Sequence, residues 1–284
     1  MLGKTVLITG ANQGIGKAAA VELAGQGAKV VLVSRNAEKG RVALEEVRAK
    51  AKGDPPELIV ADLASLADVR RLATEYKNGH DRLDVLLNNA GLLVPTRRTT
   101  VDGLEETFAV NHLAPFLLTK ELLDVVKATP SSRIVTVSSD AHRRATLHFE
   151  DLCFEKGYGG FKAYAQSKLA NIVFTYELAR RLEGTGVTAN CLHPGVIASG
   201  FGQTYGGTFS FLIKAIKPFL ATTEVGARTS VYLASSPEVR EVTGKYFAKC
   251  KAVRSNAVSY DEASWRKLWD VSEEMTKPTA TPSP

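Results

Sequence analysis

Thr5-Val6-Leu7-Ile8-Thr9 reads as a buried strand and runs without a spacer into Gly10-Ala11-Asn12-Gln13-Gly14-Ile15-Gly16, after which an alanine-rich helix begins. Strand, glycine turn and helix in that order can cradle a phosphate. Gly10, Gly14 and Gly16 let the backbone turn sharply and approach a pyrophosphate, while the first helical turn offers unpaired N–H groups and the positive end of a dipole. The whole stretch, Asn12, Gln13 and Ile15 included, is therefore a candidate cofactor contact. The spacing excludes two commoner fingerprints. A P-loop needs glycine at Ala11 and serine or threonine at Ala18, and G-x-G-x-x-G fails because Asn12 and Gly14 are out of phase. Nucleotide triphosphate hydrolysis is disfavoured, and the plain alternative is a glycine-rich βα turn without a ligand.

Beyond this unit the chain alternates. Strands are expected at 4–9, 29–34, 57–61, 84–88, 133–138 and 187–192, with a short one near 245–248. Helices are expected at 15–26, 37–51, 66–76, 103–127, 161–183 and 223–234. Such alternation argues for an α/β fold, a doubly wound parallel sheet with helices on both faces. Right-handed crossovers then bring active groups to the carboxyl ends of the strands, where Gly10, Asn89, Ser139 and Pro194 fall. With 284 residues, 44% hydrophobic and 23% charged, the chain is long enough for one such domain, expected over 1–275. Residues 276–284 have the composition of a disordered tail.

The strongest chemical signal is Tyr164-Ala-Gln-Ser-Lys168, whose i,i+4 spacing puts a phenol and an amine on one helix face. An ammonium beside a tyrosine favours the phenolate and lowers a pKa that starts at about 10, so the pair can pass protons. Tyr158 and Lys162 share the spacing, but Gly159 and Gly160 between them should keep that segment out of a stable helix. Three widely spaced cysteines without C-x-x-C fit reduced thiols, and the five histidines show no metal-ligand spacing. The formal charge of +6 is scattered among acids, which argues for solvated helix faces rather than a nucleic-acid surface. Met1 to Lys4 leads almost directly into the first strand and no run reaches about 18 apolar residues, so a cytoplasmic location is expected.

Three further motifs stand in order with these: Asn88-Asn89-Ala90-Gly91 after Val85-Leu86-Leu87, Ser138-Ser139 ending a strand, and His193-Pro194-Gly195. Together the five motifs resemble the short-chain dehydrogenase/reductase family over about residues 3 to 250. Within it, Asn111-His112-Leu113, Ser138-Ser139-Asp140-Ala141-His142, Ser167-Lys168-Leu169-Ala170-Asn171 and Gly244-Lys245-Tyr246-Phe247 look most like the retinol dehydrogenase-type branch. Many eukaryotic members of that branch carry an N-terminal membrane helix, which is not visible here. The resemblance implies a seven-stranded Rossmann-type sheet of order 3-2-1-4-5-6-7. It implies that Tyr164 donates a proton to a carbonyl oxygen or removes one from an alcohol, while a nicotinamide exchanges a hydride with the carbon. Lys168 lowers the Tyr164 pKa and binds the nicotinamide ribose. Ser139, with Ser138 as its rival, holds the substrate oxygen, and Asn111 binds a water leading from Lys168 to solvent. Asp62-Leu63 corresponds to the adenine contact and Asn89-Ala90-Gly91 to the segment beside the adenosine ribose. Pro194, Gly195 and Val196 belong to the cofactor set, with Ser199 at the carboxamide.

Cofactor choice is legible after Val30-Val31-Leu32-Val33. An NAD enzyme places a carboxylate there for the ribose 2′-hydroxyl, but Ser34-Arg35-Asn36 has none. Arg35 can fork onto a 2′-phosphate with help from Lys39, so NADP(H) is expected over NAD(H). Between Phe201 and Leu220 the sequence is rich in large apolar side chains, Phe209 and Phe211 among them, with Gly200, Gly202, Gly206 and Gly207 interspersed. Within a segment at about 195–222 this reads as a mobile lid for a small apolar carbonyl or alcohol, although a homo-oligomer contact would need the same composition. The alternative from another class is a non-catalytic NADP(H)-sensing protein, which has no need of the Asn111, Ser139, Tyr164 and Lys168 set.

Overall fold

The computed structural model describes residues 1–195 and 222–278. Val196, Ser199, the expected lid and the end of the tail lie outside these described residues. A central sheet is built from β1 (Thr5–Thr9), β2 (Lys29–Ser34), β3 (Glu57–Val60), β4 (Val85–Asn88), β5 (Arg133–Val137), β6 (Thr188–His193), β7 (Tyr246–Ala248) and β8 (Lys251–Val253). Their order is β3-β2-β1-β4-β5-β6-β7-β8, and every pairing is parallel except β7 with β8. The expected seven-stranded order thus holds, with one strand added at the edge. That strand was illegible because its hairpin turn is Lys249-Cys250, both at positive φ (50° and 59°), rather than a glycine-containing pair.

Both faces of the central strands β1, β2, β4, β5 and β6 are covered, as parallel strands require, while the edge strand β8 is exposed. Along β1 and β2 the side chains alternate between two cores. Val6, Ile8, Val30 and Leu32 pack with Ala19, Ala20 and Leu23 of α1 (Gly14–Gly25) and with Leu233 of the helix Thr223–Ser235. Leu7, Val31 and Val33 face the other way, onto Leu72 of α3 (Leu66–Gly79), Phe116 and Phe174. Helix α2 (Ala37–Arg48) follows β2, and Asn36 caps it by accepting from the Lys39 amide.

The segment expected as one helix over 103–127 is broken. Its pieces are α4 (Glu106–Phe108), a π-helical turn at Ala109–Leu113, α5 (Ala114–Glu121) and α6 (Leu123–Ala128). Helix α7 (Gly160–Arg181) carries Tyr164 and Lys168; Gly159 is its N-cap, so Tyr158 falls outside it while Lys162 lies in the first turn. A last helix, Glu262–Met275, was not foreseen; Asp261 caps it, and it buries Leu268, Trp269 and Ser272. Thr276, assigned to the tail from sequence, is only 3% exposed and donates its hydroxyl to Ser272. Among the described residues no helix is long and apolar enough to cross a membrane.

Candidate active site

Gly10 (φ +65°) and Gly14 (φ +58°) hold the backbone of the first βα turn in the left-handed region that only glycine adopts without strain. Gly16 is needed for closeness instead. A Cβ there would stand 2.4 Å from Asn89 Nδ2 and 2.5 Å from the Gly10 carbonyl oxygen. Helix α1 starts from Gln13 with no side-chain cap and no acidic residue in its first turn, so its leading amides face the turn without a protein anion. A turn of this shape fits the pyrophosphate of a dinucleotide.

Asn89 braces the turn from β4. Its Nδ2 donates to the carbonyls of Thr9 (2.8 Å) and Gly10 (3.3 Å), and the amides of Asn89 and Ala90 donate to Thr9 Oγ1 at 3.0 Å. The side chain of Asn89 is thereby a structural clamp, and it is the backbone of Ala90 and Gly91 that runs on toward Lys168. A Cβ on Gly91 would lie 3.1 Å from Lys168 Nζ and 3.4 Å from Asn111 Oδ1. Asn111 occupies the centre of the π-helical turn. Its Oδ1 accepts from the Leu92 amide (2.8 Å), and its Nδ2 donates to the Leu92 carbonyl and to Ser167 Oγ, both at 2.9 Å. Ser167 Oγ in turn donates to the Tyr164 carbonyl at 2.7 Å. The π-helical turn at Asn111 therefore ties the segment after β4 to the turn of α7 that carries the tyrosine.

Ser138 and Ser139 separate cleanly. Ser138 Oγ is buried and donates to the Lys168 carbonyl at 2.7 Å, which removes it from any ligand. Ser139 is half-buried and hydrogen-bonds the Tyr164 phenol. Tyr164, Ser139 and Lys168 thus converge, with Lys168 Nζ 5.7 Å from the centre of the tyrosine ring. Lys168 is 2% exposed and donates to the Val137 carbonyl at 3.1 Å; burial lowers its pKa to about 8. Burial pushes the Tyr164 phenol up to about 12, against the pull of the Ser139 hydrogen bond. The expected lowering of Tyr164 by Lys168 is not what this geometry gives, because the amine is itself desolvated and aimed at Val137.

Asn171, one turn beyond Lys168, also donates to the Val137 carbonyl (3.3 Å) and faces the buried His112 ring at 3.3 Å. Sequence reasoning gave neither residue a role. The repeat of a buried polar side chain three positions after Lys168 was the available signal.

The profile of the short chain dehydrogenase family matches residues 4–207. The chain belongs to that family. Human retinol dehydrogenase 14 is 45% identical over 97% of this chain and 87% of its own length. Human retinol dehydrogenase 13 is 42% identical over 94% and 82%. Among solved structures, an uncharacterised protein from Mycobacterium paratuberculosis superposes with a TM-score of 0.78 at 34% identity, covering 97% of this chain and 94% of that one. A short chain dehydrogenase from Escherichia coli CFT073 complexed with NADPH gives 0.70 at 26% identity, over 88% and 98%. Family and relatives make this protein an oxidoreductase of the alcohol–carbonyl couple that works with a nicotinamide cofactor.

Of the other expected residues, those among the described ones lie along the same edge of the sheet. Asp62 follows β3 and turns back to accept from the Ala64 amide at 3.0 Å; Leu63 joins Ala90, Val110 and Ala114 around a narrow apolar cleft. Arg35 stands exposed beyond β2. Pro194 and Gly195 (φ +93°) follow β6, where His193 Nδ1 accepts from the Asp140 amide at 3.2 Å. A roomier hollow, about 760 Å³, opens elsewhere, between the 144–151 loop, Lys156, Lys162 and Lys267. It lies two residues round α7 from Tyr164 and contains none of the expected site residues.

Proposed function

We propose that this protein is an NADP(H)-dependent reductase and dehydrogenase of apolar aldehydes or ketones and their alcohols, with Tyr164 as acid and base. The observation that carries the reading is the convergence of Ser139, Tyr164 and Lys168 beside the Gly91 backbone, on the same sheet edge as the glycine turn, which packs against Ala90. Gly10 to Gly16 would hold the pyrophosphate, Ala90 and Gly91 the ribose side, and Arg35 the 2′-phosphate. The bound nicotinamide supplies or accepts the hydride. Tyr164 gives its phenolic proton to the substrate oxygen in reduction, and a pKa held high keeps that proton in place at neutral pH. Ser139 Oγ, already bonded to the phenol, fixes the same oxygen. Lys168 places a positive charge near the ribose and beneath the tyrosine ring.

NADP(H) is supported by Arg35 in the absence of a carboxylate at 34–36, and by relatives solved with NADPH or NADP. The apolar substrate is supported by the names of the retinol dehydrogenases and by the composition of 201–220. Turnover of an apolar aldehyde such as retinal with NADPH and NADH tests the reading. Tyr164→Phe should abolish turnover while nucleotide affinity stays within about threefold, because ring packing survives. Arg35→Asp should weaken NADPH and improve NADH; one charged hydrogen bond is worth roughly 1.5–3 kcal/mol, before repulsion is added. Equal affinity of the wild type for both nucleotides would remove the role of Arg35, and an active Tyr164→Phe that of the phenol.

A further inference from the structure

Ser139 is held from behind by His142, and His142 in turn by a residue more than a hundred positions away. His142, fully buried in the 3-10 turn Asp140–Arg144, has its Nδ1 2.6 Å from the Ser139 carbonyl oxygen. Its Nε2 faces the backbone amide of Asn256 at 3.1 Å. A carbonyl can only accept and a backbone amide can only donate, so these two neighbours dictate the tautomer: the proton sits on Nδ1 and the ring is neutral. Asn256 closes the clamp with its side chain, Nδ2 donating to the carbonyls of His142 (3.1 Å) and Ala145 (3.2 Å). The segment bearing Asn256 is itself anchored, since Ser255 Oγ bonds Tyr176 at 2.7 Å and Ser259 at 2.6 Å. The Tyr246 ring packs edge-on against the imidazole at 4.9 Å, leaving it one orientation.

We propose that His142 and Asn256 are positioning residues for Ser139: the neutral imidazole fixes the serine's peptide, and the C-terminal segment fixes the imidazole. The inference rests on the reading of Ser139 as the group that holds the substrate oxygen. The same peptide is held by backbone as well, since the His142 amide donates to the Ser139 carbonyl at 3.1 Å and the Asp140 amide to His193 Nδ1 at 3.2 Å; the imidazole adds a side-chain donor to that carbonyl. Loss of the Nδ1–H bond leaves only backbone-turn contacts and His193 to hold the peptide that aims Oγ at Tyr164, and displacements of about 1 Å at such a group cost on the order of 100-fold in rate.

Two isosteres separate the two bonds. The amide nitrogen of asparagine falls near the place of Nδ1, and the amide oxygen of glutamine near that of Nε2. His142→Asn can keep the bond to Ser139 and gives up the one to Asn256; His142→Gln does the reverse. With an apolar aldehyde and NADPH, kcat of His142→Asn should exceed that of His142→Gln by about tenfold or more, with the KM for NADPH the same in both. Equal kcat in the two, or a faster glutamine variant, would overturn the clamp. The wild-type protein offers a check that needs no variant to fold. Its imidazole 15N spectrum should show His142 protonated on Nδ1 alone at pH 7, and a proton on Nε2 instead would also overturn the proposal. Ser139→Ala distinguishes the underlying reading: full activity there would show that Ser139 holds no substrate oxygen, and the clamp would lose its catalytic purpose.

Discussion

Lys168 is buried against the Val137 carbonyl, and burial lowers its pKa from 10.5 to about 8. Between those values the unfolded chain binds the proton and the folded chain does not, so stability contributed by this site rises with pH across the window. Below about 8 the full desolvation cost is present, roughly 3 kcal/mol at 1.36 kcal/mol per pH unit. Lys168→Met should therefore be the more stable protein at pH 7, and its advantage should close by pH 10.5 in urea titrations. Taking the difference between the two proteins cancels the high-pKa tyrosines and cysteines, and Val137 keeps Asn171 as a donor. A difference that stays flat with pH would refute the buried ammonium. Tyr158 is the contrasting residue. Its hydroxyl donates to the Val94 carbonyl at 2.8 Å and approaches Glu105 at 3.2 Å, so Tyr158→Phe should cost about 1–2 kcal/mol in chemical denaturation while kcat is retained.

The first βα element makes a sharper test, because two effects oppose each other at Gly16. Alanine has the better helix propensity by roughly 1 kcal/mol, which alone would make Gly16→Ala stabilising. The added Cβ, however, would meet the Gly10 backbone carbonyl at 2.5 Å, which cannot yield cheaply, and also the Asn89 Nδ2 that is already bonded to the turn. Overpacking costs typically about 1–3 kcal/mol, so the clash should win: a lower denaturation midpoint, and nucleotide affinity reduced at least tenfold by fluorescence titration. A variant as stable and as tight-binding as the wild type would mean that the turn is looser than its contacts indicate. The long element at 103–127 shows the limit of reading elements from sequence. Its apolar pattern is helical throughout, and Pro115 stands where a helix can begin, but the π-helical turn depends on Asn111 finding Leu92 and Ser167, partners that sequence spacing does not bring near.

At the scale of the molecule, the cofactor should act as a staple between the two halves of the sheet edge. A ligand at 100 times its Kd stabilises by about 2.7 kcal/mol, which for a protein of this size is a rise in Tm of roughly 4–5 °C. NADPH should produce that rise, NADH at the same concentration a smaller one, and Arg35→Asp should invert the order in thermal denaturation; identical shifts would argue against 2′-phosphate recognition. The sequence by itself determined the alternation of strands and helices, the glycine turn and the Tyr164–Lys168 face, because period, left-handed φ and i,i+4 spacing are local properties. It also determined, through motif order, the family and the parallel sheet with its active edge. Tertiary structure decided the antiparallel β8 and the last helix, whose apolar side is explained only by the α7 face it covers. It separates Ser138 from Ser139 as well, since one hydroxyl bonds the Lys168 carbonyl and the other the Tyr164 phenol. The protonation of Lys168 and Tyr164 belongs to the same class. Burial, hydrogen-bond partners and pKa depend on groups brought together from distant positions in the chain, and no local pattern encodes them.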